Sequence, residues 1–247
     1  MFLIALAWVA SLVKSIPEIP KQTTLTQVPI LCYHNIKNSR SGYRNEYTLN
    51  SEAFREQIKM LHDSGYSGIS PDQLLALFIR GARLPKQPIL ISFDDTHEEH
   101  FSIAAPILER YGYRGVFFIM TVAIGKPGYM TAAEIKALSD RGHIIACHTW
   151  DHPDVRKLNE NQWHFQLDNS RSRLEQITGR PVKYFAYPSG QWNNEAISQL
   201  KKRGILAAFQ LMGARSKTDV LYSMRRLMVS GNWSANDLQR KIQTSFR

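Results

Sequence analysis

Apolar residues in this chain gather into short, nearly unbroken runs, separated by stretches with helical spacing. Pro29–Tyr33, Ile89–Phe93, Val116–Met120, His143–Cys147, Lys183–Tyr187 and Ile205–Phe209 are apolar almost throughout, the pattern of strands covered on both faces. A further strand is expected around Arg226–Ser230. The intervening helices carry clear punctuation. Ser70 caps a helix that starts at Pro71 and stops at Gly81. Thr131 and Glu134 form a capping box ahead of a helix ended by Gly142. Two more helices run from Asn159 to Thr178, closed by Gly179, and from Asn194 to Arg203, closed by Gly204. Strand–helix alternation of this kind predicts an α/β fold with a parallel sheet, open or closed into a barrel. In either form ligands collect beyond the C-terminal ends of the strands.

One segment departs from the pattern. Phe2 to Val13 (FLIALAWVASLV) is an unbroken run of apolar and small residues with no polar face, followed by Lys14, Pro17 and Pro20. It is shorter than the roughly 20 residues of a membrane span and suits the core of a signal peptide or a short anchor. Only Met1 precedes it, where a basic region usually stands. Residues 15–27 (SIPEIPKQTTLTQ) read as a linker. The chain therefore divides into an export or anchoring segment over 1–27 and one folded domain over 28–247. Its destination is the periplasm, the cell surface or the medium.

Length and composition fit that division. The 247 residues, 43% hydrophobic and 11% aromatic, suffice for one substantial core. The formal charge of +10 raises the question of nucleic acid, but the basic residues are scattered. Clusters such as Lys201–Arg203 and Arg225–Arg226 are short, and no nucleic-acid motif accompanies them. A solvated basic surface is the plain reading, and attraction to an anionic cell envelope the functional one. Cys32 and Cys147 form neither a disulfide framework nor a zinc-ribbon spacing, and whether they pair stays open. Nothing in the sequence speaks to oligomeric state.

The candidate chemistry lies directly after the strands. His34 follows the first, Asp94 and Asp95 the second, His148 and His152 the fourth, and Pro188-Ser189-Gly190 the fifth. Adjacent carboxylates repel unless a cation relieves them, and one can ligate while the other stays free. Helix capping is the competing reading of such an Asp. His148 and His152, four apart, can reach one metal from one turn, and Pro153 favours a tight turn over a long helix. Two His and one carboxylate leave coordination positions for water and substrate, a catalytic rather than a structural arrangement.

ILISFDDT at Ile89–Thr96, HTWDHP at His148–Pro153 and FAYPSG at Phe185–Gly190 together resemble the polysaccharide deacetylases of the NodB-homology class, carbohydrate esterase family 4. The resemblance spans roughly Pro29 to Val229. It implies a distorted, incomplete (β/α) barrel of about seven parallel strands. It also implies a divalent metal, most simply Zn2+, on Asp95, His148 and His152, with Asp94 as general base and the Ser189 backbone N–H facing the oxyanion. The substrate implied is an acetylated polysaccharide. Tyr187, Trp150 and Trp192 neighbour the motifs as candidate sugar contacts.

Three departures sharpen the resemblance. Thr96 stands where the family often has Gly, and Ala186 where an Arg often orients the base. Arg225 or Arg226 is left to reach in from a late strand. No His occurs after His164, although the family's catalytic acid is usually a late His. The poly-N-acetylglucosamine branch has a permuted arrangement that opens with a strand ending in Tyr-His, and PILCYHNI at Pro29–Ile36 is similar. That makes His34 the acid, against the plainer reading of a hydrogen-bonded rim histidine. His97 and His100 are expected on the outgoing helix. Two rival readings remain: a non-catalytic carbohydrate binder, and a non-haem iron enzyme with a two-His-one-carboxylate centre.

Overall fold

The computed structural model describes residues 27–38 and 45–246, so the apolar run Phe2–Val13 lies outside the described residues. Strands β1 (Ile30–Tyr33), β2 (Asn35–Lys37) and β3 (Thr48–Asn50) open the domain, followed by helix α1 (Ser51–Asp63). Strand β4 (Ser67–Gly68), helix α2 (Pro71–Arg80), strand β5 (Pro88–Phe93) and helix α3 (Ala105–Arg110) come next. Strand β6 (Gly115–Ile119), helix α4 (Ala132–Asp140) and strand β7 (Ile144–Cys147) complete the first half. Helices α5 (Glu160–Trp163) and α6 (Ser170–Thr178) lead to strand β8 (Tyr184–Ala186) and helix α7 (Asn194–Lys202). Strands β9 (Ala207–Phe209) and β10 (Leu227–Met228) and helix α8 (Ala235–Ser245) end it.

Helix punctuation follows the sequence closely. The capping boxes at Ser70 and Thr131 both form, and α2 stops at a left-handed Gly81. The long expected helix after Asn159 is present but widens into a π-helical turn over His164–Asn169. Helices α1 and α8 and the small β2–β3 pair are additions that the strand-centred reading did not predict.

The main sheet is parallel, in the order β10-β1-β5-β6-β7-β8-β9, with β4 added beside β5. It curls until its two ends nearly meet, through a single bridge between Phe209 and Met224. This is the distorted, incomplete barrel expected, and its closure matters for the site. Because side chains alternate along a strand, each strand feeds two faces. Leu31, Ile91, Phe93, Phe117, Ile145 and Phe185 pack outward against α1, α3, α4, α6, α7 and α8. Ile30, Leu90, Phe118, Ala146, Tyr184, Ala186 and Phe209 form a second, inner cluster, to which α2 contributes Leu74. Continuing the inner parity past the strand ends selects Cys32 and His34, Ser92 and Asp94, and His148.

Candidate functional site

These inward positions converge on one cavity of about 360 Å³, lined by His34, Asp94, Asp95, His148, His152 and Ser189 together with Tyr47, Gly190, Leu211 and Met228. That volume lies within the usual range for ligand sites. Among the described residues, six non-glycine positions have positive φ, and five of them sit on this rim: Asp95, Thr96, Thr149, His152 and Ser189. Left-handed backbone at a residue with a Cβ costs on the order of 1 kcal/mol or more. Such strain gathered at one place is a mark of function.

The histidine pair owes its geometry to this backbone. Residues 148–152 do not form a helix; the chain turns back on itself, with the His152 N–H donating to Thr149 Oγ1 at 3.0 Å. The imidazole centroids are 4.9 Å apart. Asp95, His148 and His152 bring their ligand atoms within 4.8 Å of one another. His148 Nδ1 lies 2.9 Å from the Ala186 carbonyl and must donate to it, which leaves the Nε2 lone pair free. That nitrogen is 3.6 Å from Asp95 Oδ1. Burial pushes the His148 pKa down against the pull of Asp94 and Asp95, so the ring is neutral and fit to ligate. A neutral imidazole of fixed tautomer, a second imidazole and a carboxylate fit a divalent cation by donor chemistry.

Asp94 is engaged quite differently. Arg226, itself fully buried, meets it through two hydrogen bonds of 2.7 Å, Nη1 to Oδ1 and Nη2 to Oδ2. The guanidinium is aimed by its Nε donating to the Gln210 carbonyl at 3.1 Å and by the Phe118 ring beneath it at 5.0 Å. Cys32 Sγ adds a third donor to Oδ2 at 3.4 Å. Burial alone would push the Asp94 carboxyl up, but the Arg226 guanidinium outweighs it and holds it well below the usual carboxylate range. Of the two late arginines, parity decides: Leu227 pairs with Leu31 and packs in the outer cluster, so Arg226 turns inward.

His34 stands beside this pair with Nδ1 buried and unpartnered. Burial lowers its pKa, opposed by Asp94 and Asp95. Its carbonyl accepts from His100 Nε2 at 2.6 Å. Ser189 reaches the rim in a left-handed turn, and Gly190 follows because a Cβ there would lie 2.7 Å from the Leu211 nitrogen.

Not every candidate arrives. The Tyr187 side chain has outer parity with Phe185, is fully buried, and donates its hydroxyl to the Tyr222 carbonyl at 2.8 Å. Its side chain therefore lies in the helix-facing core, away from the cavity. Trp192 packs against that core and Trp150 against Phe165, centroids 5.2 Å apart, both outside the cavity lining. His97 lies in a turn stacked on Tyr129, while His100 opens the π-helical start of the outgoing helix. Cys32 and Cys147 are free and buried. Tyr47, Leu211 and Met228 were missed, since no motif surrounds them. Cys32 carried one usable signal, its two-residue spacing from His34.

Comparison with known proteins matches residues 81–208 to a family model described as polysaccharide deacetylase. The Bacillus subtilis (strain 168) protein named "Putative polysaccharide deacetylase YxkH" is 26% identical over 219 residues, covering 88% of this chain and 77% of its own length. The poly-beta-1,6-N-acetyl-D-glucosamine N-deacetylase of Escherichia coli (strain K12) is 22% identical over 93% of this chain, but the match spans only 41% of that longer protein. In fold, the chain is similar to the Streptococcus pyogenes deacetylase PplD, solved in complex with acetate. The TM-score is 0.79 at 22% identity, over 87% of this chain and 98% of that one.

Proposed function

This chain belongs to the polysaccharide deacetylase family, hydrolases of carbon–nitrogen bonds other than peptide bonds, and we propose that it removes N-acetyl groups from a polysaccharide of the poly-N-acetylglucosamine type by metal-assisted hydrolysis. One observation carries the reading: a cation-competent triad, Asp95, His148 and His152, shares a cavity with a separate, Arg-clamped carboxylate and a half-buried imidazole. The triad would hold the cation, most simply Zn2+. That ion supplies Lewis-acid chemistry, acidifying water and polarising a carbonyl.

The chain's own residues then divide the proton work. Asp94, held well below the usual carboxylate range by Arg226, is ionised at neutral pH and accepts a proton from the attacking water. Its low proton affinity also favours passing that proton on. His34, kept neutral by burial, has a ring nitrogen within 4.8 Å of an Asp94 oxygen. Once charged, it can protonate the departing amine. The Ser189 N–H serves the oxyanion, where negative charge develops. Export to the periplasm, cell surface or medium goes with this substrate and is supported by the apolar run Phe2–Val13. Among the described residues no helix is long and apolar enough to cross a membrane. The basic surface suits an anionic envelope nearby.

Acetate release from poly-β-1,6-N-acetylglucosamine, chitin oligomers, peptidoglycan and acetylated xylan, with and without chelator, tests the reading. Release from the first, abolished by chelator and restored by Zn2+, is expected. Retained metal and bound glycan with no acetate from any polymer would make the protein a binder instead.

A further inference from the structure

The cavity has one wall that the hydrolytic chemistry does not use. Among the described residues the large apolar side chains left substantially exposed are Tyr47, Ile79, Phe165, Leu206 and Met212, and of these only Tyr47 lines the cavity. Its residue is 50% exposed, and its ring meets His34 at 82° with centroids 5.5 Å apart. Leu211 and Met228 are the other large apolar residues of the lining, while Asp95, His148 and His152 are polar.

Exposure of this ring does not come from a loose backbone. The Asn35 N–H donates to the Tyr47 carbonyl at 2.9 Å, and the Tyr47 N–H donates to Asn45 Oδ1 at 2.8 Å. From the far side the Gly231 N–H reaches the Glu46 carbonyl at 3.3 Å. A Cβ on Gly231 would lie 1.9 Å from the Thr48 carbonyl oxygen and 2.3 Å from that of Asn45, so the turn after β10 can press on this segment only as glycine. An aromatic side chain normally gains most by burial. Here one is pinned in place and left half bare beside His34. An amphipathic ligand suits such a wall: a pyranose offers a C–H face to the ring and hydroxyls to the polar side.

We propose that Tyr47 is the glycan platform of the site. A sugar ring of the acetylated substrate packs on it and turns its N-acetyl group toward Asp95, His148 and His152. The identity of the ligand rests on the deacetylase reading; the choice of residue rests on the cavity wall.

The test uses the full chain loaded with Zn2+ and a β-1,6-linked N-acetylglucosamine pentamer, with binding read by calorimetry and turnover by acetate release. Tyr47→Ala should weaken pentamer binding and raise its KM by about tenfold, the scale of one aromatic contact, with a much smaller change in kcat. Tyr47→Trp should retain most of the affinity. The loss of kcat/KM on the pentamer should exceed the loss on p-nitrophenyl acetate, which carries no sugar. Wild-type affinity and KM in Tyr47→Ala would overturn the proposal, as would equal losses on both substrates, which would mean that Tyr47 acts only by holding His34. Should wild type bind the pentamer without releasing acetate, the deacetylase reading falls, and the calorimetric comparison alone decides for or against Tyr47. A wild type that does not bind the pentamer sinks both.

Discussion

Replacing Arg226 by Met deletes a buried charge while keeping most of the stem volume. The consequence can be worked out from its surroundings. Arg226 and Asp94 are both buried and joined by two bonds of 2.7 Å. In the variant, Asp94 keeps only the weak Cys32 thiol as a side-chain donor among the described residues. Breaking a buried ion pair from one side costs about 3–5 kcal/mol, because the remaining charge is left without compensation. Asp94→Leu creates the mirror defect, a stranded guanidinium, at a similar cost. The double variant strands neither charge, and replacing a whole buried pair by apolar groups is often close to neutral. Urea unfolding at pH 7 should therefore give two costly single variants and a double variant far milder than their sum, a coupling of about 3 kcal/mol or more. Additivity within about 0.5 kcal/mol would refute the reasoning. The pH dependence has a definite sign. Asp94 titrates lower in the fold than in the unfolded chain, so the pair's contribution is complete above about pH 4 and is lost as the pH falls further. The gap between wild type and Arg226→Met should narrow in acid.

Asp94→Asn should abolish acetate release while metal content, read by plasma emission, stays near wild type; loss of metal would exchange the roles of the two aspartates. His148→Ala should lose the metal, and a normal content would remove it from the ligand set. His34→Ala should slow turnover by about a hundredfold or more with metal retained, the usual scale of a lost proton-transfer group; an unchanged rate would point to another acid. Burial lowers the His100 pKa to about 3, below its unfolded value, so its contribution is complete above about pH 6.5 and declines as the pH falls toward 3. Between pH 6.5 and 5 that is about 1.6 kcal/mol of lost stability, and His100→Gln should flatten the slope in urea titrations at those two pH values.

Local rules made much of this protein legible in its sequence. Apolar runs marked the strands to within a few residues, and capping boxes and glycines marked helix ends, because those signals act over three or four residues. Strand-end positions likewise singled out His34, Asp94, Asp95, His148, His152 and Ser189, since a parallel sheet sends the end of each strand to one rim. Tyr187 shows where that logic stops. It follows a strand as His148 does, but its parity aims it at the helices, and parity is set by the register in which β8 pairs with its neighbours.

Curling of the sheet decided the rest. Arg226 reaches Asp94 from 132 residues away only because β10 lies against β1 near the seam where the sheet almost closes. Tyr47 joins the cavity only because Gly231, far along the chain, allows two backbones to touch. Such contacts leave no periodic trace, since they depend on which strand comes to lie beside which. The sequence by itself determined that a cation-competent rim would form; tertiary closure determined which arginine clamps Asp94 and which aromatic faces the open side.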